Sequence, residues 1–169
     1  MEKMKLYFAK TNESAIIPSK REEDGAFDVY ACFEEDYLVI KPHETVLVPT
    51  GIASAFSSDY VAILKERGST GSKGIGQRCG VVDSGYRGEW FCCVTNHNEH
   101  PLVIVKKEKA SDESVKPILE GAVVYPYEKA ICQCVMVQVP KMEIQEISHK
   151  ELMLFESERG TGALGSSGK

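Results

Sequence analysis

No apolar run in this chain approaches the roughly 20 residues of a membrane span, and Met1–Phe8 carries no apolar leader core, so the expectation is a soluble, cytoplasmic protein with no membrane partner. Positive charge is in the minority. Lys and Arg number 20 against 25 Asp and Glu, a net charge of −5, which argues against a generic nucleic-acid surface and confines any phosphate binding to a local site. The six cysteines never fall as C-x-x-C pairs. Cys92 and Cys93 are adjacent and Cys132 and Cys134 are one apart, so neither a zinc site nor a dithiol motif is indicated, and reduced core thiols are expected. Helical periodicity of any length is missing before the middle of the chain.

What remains is β composition. Lys5–Lys10, Ala26–Ala31, Tyr37–Ile40, Thr45–Gly51, Ile52–Phe56 and Tyr60–Lys65 are short β-rich runs set apart by Pro, Gly, Asp and Ser, the pattern of an all-β sandwich or barrel. At 169 residues, one domain with a core of useful size is expected. Pro101–Val105 reads as a further strand, and Lys106–Glu120 as a charged, solvated loop. Ala130–Val139 reads as a central strand in which Gln133 is the polar exception. Pro140 then acts as a hinge before an alternating strand, Met142–Ile147.

Three stretches and one lone carboxylate carry chemistry. Gly80–Trp90 reads as a β-hairpin, with Asp83 and Tyr86 at its mouth and glycines that let a planar ligand approach the backbone. Arg67-Gly68-Ser69-Thr70-Gly71, with Lys73 close behind, concentrates cations, hydroxyls and backbone N–H groups suited to phosphate, without Walker A spacing. Asp28 sits inside a β-rich run, either as a turn former or facing a cavity with a positive partner. Beyond Glu158 the tail is either a disordered linker or a phosphate-gripping arm built on Arg159 and its downstream hydroxyls.

Taken in order, these segments resemble the five motifs of the trimeric dUTP diphosphatases (dUTPases), and the long segment before Pro126 resembles insertions of phage and prophage members from Gram-positive bacteria. Asp24–Ala31 looks like the first motif, Arg67–Gly71 the second, Gly80–Gly88 the third, Gln133 the fourth and Arg159–Gly168 the fifth. Two positions depart from the pattern. Gly68 separates Arg67 from Ser69, and Leu164 stands where the family carries an aromatic over the uracil.

The resemblance implies a distorted jelly-roll or β-barrel over residues 1–158, with an insertion at about 106–126 and a flexible C-terminal arm, 159–169, that closes over the site. It implies hydrolysis of dUTP to dUMP and pyrophosphate, which keeps uracil out of DNA and supplies dUMP for dTMP synthesis. Asp83 would be the general base, and Asp28 would hold Mg²⁺ through water. Arg67, Ser69 or the Gly68 amide, and a catalytic Arg159 would contact the phosphates, Thr70 and Gln133 would bind substrate, and Gly165, Ser166 and Ser167 would close over the γ end. Gly80 and Val82 would read uracil, Tyr86 would pack on deoxyribose, and Leu164 would cover the base. Three chains would share each site. Two other readings of the same fold are a dCTP deaminase, whose catalytic Glu is replaced here by Cys93, and a regulatory protein that binds its partner through the insertion.

Overall fold

The computed structural model describes residues 4–162, which divide after Val139 into two compact units. The first unit carries twelve strands. In chain order they are β1 (Tyr7–Lys10), β2 (Phe27–Val29), β3 (Tyr37–Ile40), β4 (Thr45–Pro49), β5 (Ile52–Ala55), β6 (Tyr60–Lys65), β7 (Ile75–Arg78), β8 (Val81–Val82), β9 (Phe91–Asn96), β10 (Leu102–Val105), β11 (Val123–Pro126) and β12 (Cys132–Gln138). Two one-turn helices interrupt them, α1 (Gly68–Gly71) and α2 (Lys116–Leu119). The fold is all-β.

Four small sheets form, ordered β1-β5, β11-β10-β3, β2-β12-β6-β8 and β4-β9-β7. All pairings are antiparallel except β10 with β11. Alternation along β12 places Gln133. Cys132 and Cys134 enter the core, so Gln133 must face the other side of the sheet, beside its register partners Asp28 and Lys65.

The main core joins Ile40, Val48, Ile52, Leu64, Trp90, Leu102, Ile104 and Tyr125 with four of the cysteines. The cysteines behave as small hydrophobes, and Cys92 and Cys132 meet thiol to thiol across sheets at 2.8 Å. Burial pushes the Cys134 thiol up to about 12, so it stays protonated. Cys79 is the exposed exception.

The charged segment after β10 is not a solvated loop. Val115, Ile118, Leu119 and Ala122 fall at helical spacing, and they cover Val103 and Val105, the face of β10 turned away from the main core. Charge density hid that pattern: the polar residues around it line the outer side of the same turn. β10 is therefore buried on both faces, as its unbroken Leu-Val-Ile-Val run allows.

The hairpin reading of Gly80–Trp90 also needs correction. β8 pairs with β6, whereas β9 pairs with β4 and β7, so the strands flanking the turn lie in different sheets and share no ladder. Gly80 directs this parting. Its carbonyl accepts the Leu64 N–H at 2.7 Å, and a Cβ on it would collide with the Leu64 carbonyl, so glycine lets the chain dock edge-on against β6.

The second unit begins at Pro140, earlier than the arm at residue 159 expected from the sequence. Among its described residues stands one helix, α3 (His149–Leu152), capped by Ser148, whose hydroxyl accepts the Glu151 N–H while the Glu151 carboxylate accepts the Ser148 N–H at 2.8 Å. Met142–Ile147, expected as a strand, has no ladder partner among the described residues, and Met142 and Ile144 are exposed. A strand needs a neighbour for its backbone groups, and the described residues of one chain supply none here.

Candidate active site

The sheet β2-β12-β6-β8 brings the expected first, second and fourth motif residues to one place. Asp28 is pinned by β12 on one side and on the other by its own N–H, which donates to the Ser19 carbonyl at 2.9 Å. β6 ends at Lys65, and the chain then turns into α1, which swings Arg67 over β2. The Arg67 guanidinium grips Asp28 with both arms, Nε to Oδ1 at 2.9 Å and an η nitrogen to Oδ2 at 3.4 Å. The other η nitrogen donates to the Ala130 carbonyl and to Ser69 Oγ. Of the two readings of Asp28, the positive partner is the one found.

Gln133 stands beside this pair and donates its amide to the Glu66 carbonyl at 2.9 Å, which ties β12 to the start of the α1 loop. Asp28, Arg67, Gly68, Ser69 and Gln133 line an open cleft of ≈ 920 Å³. Gly68 has open space where a Cβ would be, so its backbone is accessible. Thr70 does not join them. It is fully buried, and its hydroxyl accepts the Arg67 N–H at 2.9 Å and donates to the Arg67 carbonyl at 3.1 Å. Thr70 therefore fixes the Arg67 backbone instead of touching a ligand.

Beside Asp24 of the expected first motif, the cleft has two basic walls to which the sequence assigned no role, Lys20 and Arg21. Arg21 donates two guanidinium hydrogen bonds and its backbone N–H to the Asp24 carboxylate and holds that carboxyl below its usual range, while Lys20 Nζ hooks the Asp24 carbonyl at 2.7 Å. An acid three residues after a base was the available signal.

The third-motif residues gather elsewhere. Val82, Asp83 and Tyr86 line a pocket of ≈ 260 Å³ with Cys93, Trp90 and Phe91, and it shares no lining residue with the cleft. β2 and β8 are opposite edges of their sheet, and Asp83 continues toward the Tyr60 end of β6 while Arg67 follows the Lys65 end. Strand spacing and rise put Asp83 and Asp28 on the order of 20 Å apart within one chain.

Val82 is buried in the core, so it can offer a ligand only its backbone, and the Gly80 carbonyl is already taken by Leu64. Tyr86 is half-exposed and donates its hydroxyl to the Glu89 carbonyl at 3.1 Å, its ring lying on Gly88, where any side chain would collide with it. Burial and then the neighbouring Cys79 thiol push Cys93 above the ordinary thiol range, so it is no acid-base group for deamination near neutrality.

Comparison with known proteins decides the family. The dUTPase family profile matches residues 12–111, more than half of the chain. The chain belongs to the dUTPase family. The deoxyuridine 5'-triphosphate nucleotidohydrolases of Nautilia profundicola and Gloeothece citriformis are 29% and 30% identical to it, covering 98% of this chain and 100% and 97% of theirs. Among solved structures, a Staphylococcus bacteriophage 80alpha dUTPase with dUpNHpp superposes with a TM-score of 0.73 over 96% of this chain and 98% of that one, at 19% identity. A dUTPase from phage phi11 of S. aureus, described with a structural Mg(II) ion, superposes with a TM-score of 0.67 over 87% of this chain and 99% of its own. At that identity the phage structures share the fold.

Within the dUTPase frame, Arg159 lies in the second unit, where its Nε donates to the Gly162 carbonyl at 2.8 Å. Leu164, Gly165, Ser166 and Ser167 lie outside the described residues. Among the described residues no helix is long and apolar enough to cross a membrane.

Proposed function

We propose that this chain hydrolyses dUTP to dUMP and pyrophosphate by water attack on the α-phosphorus. The observation that carries the reading is the cleft in which Arg67, Ser69 and Gln133 surround Asp28, in a member of the dUTPase family. Arg67, the Gly68 N–H and Ser69 bind the phosphate chain. Gln133, held by Glu66, closes its far side. Asp83 takes the proton of the attacking water. Backbone at Gly80 and Val82 meets uracil, and Tyr86 packs on the deoxyribose, leaving no room for a 2′-hydroxyl.

Magnesium fits this donor set in one way. Asp24 and Asp28 are both committed to arginines, and among the described residues no three acidic, histidine or cysteine side chains gather into a metal cage. Asp28 would hold Mg²⁺ through the ion's water shell, as suits an ion that dehydrates reluctantly. When bound it supplies charge neutralisation on the phosphates. Arg67 and Asp28 set where that chain lies.

Each site is shared between copies in a homotrimer. A general base must stand within about 3 Å of its water, and Asp83 is several times that from the cleft of its own chain. A neighbouring copy brings the turn to the cleft. Support comes from the apolar rim around Asp83, where Leu47, Val81 and Phe91 are exposed, and from the unpaired Met142–Ile147 segment, a strand suited to a neighbour's sheet edge. Arg159 comes from the third copy.

A second role rests on the insertion. The 80alpha phage dUTPase is described as controlling transfer of virulence genes. In this chain the segment before Pro126 turns Lys107, Glu108, Asp112 and Glu113 outward over an ordered apolar base, a surface able to engage a regulatory protein alongside hydrolysis. Pyrophosphate release on adding dUTP and Mg²⁺, with dCTP and dTTP as controls, tests the primary reading. Release from dUTP alone is expected, and ammonia from dCTP or silence with all three contradicts it.

A further inference from the structure

The strands on either side of the turn that carries Asp83 share no β-ladder with each other, and only β8, on its approach, is tied to β6. β8 and β9 run into different sheets, and the one backbone bond across the turn is the Tyr86 N–H to the Asp83 carbonyl at 3.1 Å. Something else must hold the turn on the body of the protein. Arg87 reaches back over it, and one guanidinium nitrogen donates to the Ser84 carbonyl at 2.6 Å, the Tyr86 carbonyl at 3.1 Å and the Ser54 carbonyl of β5 at 3.3 Å. Two N–H groups serve three acceptors, so Ser84 takes the strongest bond and the other two share the rest. The next residues anchor the same lacing to the same edge. The Gly51 N–H donates to the Glu89 carboxylate at 2.7 Å, the Trp90 N–H donates to the Ile52 carbonyl, and the Trp90 indole donates to Ser54 Oγ.

We propose that Arg87 is a positioning residue for hydrolysis, setting the Asp83 carboxylate by clamping the turn to β5. This rests on the reading of Asp83 as the base. Arg87 bonds the residue that follows Asp83 and touches no part of the cleft, so it acts through the turn. Asp83 is exposed and no hydrogen bond to its carboxylate occurs among the described residues, so its aim depends on the backbone beneath it. In-line attack is sensitive to misplacement on the scale of 1 Å, which costs about a hundredfold, and a turn released from β5 has that freedom.

The test compares Arg87→Gln, Arg87→Lys, Asp83→Asn and the double variant Asp83→Asn/Arg87→Gln as intact oligomers, with the near-UV signal of buried Trp90 as the control for folding. Arg87→Gln is expected to lower kcat about tenfold to a hundredfold while KM for dUTP moves less than about threefold, because the phosphate cleft is untouched. Arg87→Lys, which can still donate to the same carbonyls, is expected to recover part of the loss. In Asp83→Asn chains, adding Arg87→Gln is expected to cost nothing further. A wild-type kcat in Arg87→Gln, or an equal loss with and without Asp83, overturns the positioning role. A wild-type rate in Asp83→Asn overturns the base assignment and the proposal with it.

Discussion

Asp28, Arg67 and Gln133 are placed by strand pairing, whereas Asp83 and Tyr86 ride on a turn whose flanking strands part into different sheets. The first group inherits its geometry from register: once Cys132 and Cys134 are buried, Gln133 must stand beside Asp28, and Arg67 arrives at the end of the next strand. Beyond the short β8–β6 pairing on its approach, the second group is held by side-chain and backbone bonds from Arg87, Glu89 and Trp90 to β5 and its approach. A ladder-built group resists single substitutions outside itself, while a laced turn depends on each lace. In the proposed mechanism the cleft binds, and the turn performs the step that needs aim.

The sharpest way to separate the two regions is to remove one carboxylate from each. Asp83→Asn keeps the shape of the turn and should lower turnover on the order of a hundredfold to ten-thousandfold with little change in the affinity for a non-hydrolysable dUTP analogue. Steady-state rates beside equilibrium titration measure both, and near-normal turnover would remove Asp83 from the mechanism. Asp28→Asn should act in the opposite sense. It releases Arg67 from its charged partner, so analogue affinity and its Mg²⁺ dependence should both fall, by about tenfold or more. Unchanged magnesium dependence would show that Asp28 serves only to hold Arg67.

Smaller effects test whether the surroundings hold as described. Val115→Ala removes two methyl groups from the cover over Val103 and Val105 and should cost about 2 kcal/mol in denaturant unfolding, with activity per folded molecule unchanged. A cost near zero would return the segment to the solvated loop its charges imply. Thr70→Val, nearly isosteric, removes both hydroxyl bonds to the Arg67 backbone and should cost about 1 kcal/mol in the same assay. If it instead abolished dUTP binding with stability intact, Thr70 would be a ligand contact after all.

Much of this was readable from residues because period-two alternation states its own answer. The strand runs, the oddity of Gln133 and the carboxylate at Asp28 all follow from which side chains can be buried. Three features escaped for physical reasons. Parting of the Gly80–Trp90 strands depends on where Gly80 docks, a long-range contact to Leu64 that no local pattern encodes. The 115, 118, 119 and 122 spacing is masked by surrounding lysines and acids, whose charges describe only the outer side of the turn. Thr70 carries the same hydroxyl as Ser69, and composition cannot tell a capping hydroxyl from a binding one until the backbone path is known.

Sharing of each site, with Asp83 of one copy working on a phosphate held by Arg67 of another, is tested most directly by mixing inactive chains. Asp83→Asn and Arg67→Met chains are unfolded together, refolded at equal amounts and assayed for pyrophosphate release from dUTP. If sites are shared, half of the turns and half of the clefts are intact and they combine at random, so activity should return to about a quarter of the wild-type value. If each chain completes its own site, every site in the mixture carries one defect, and an assay that stays at the level of the separate variants would contradict the account.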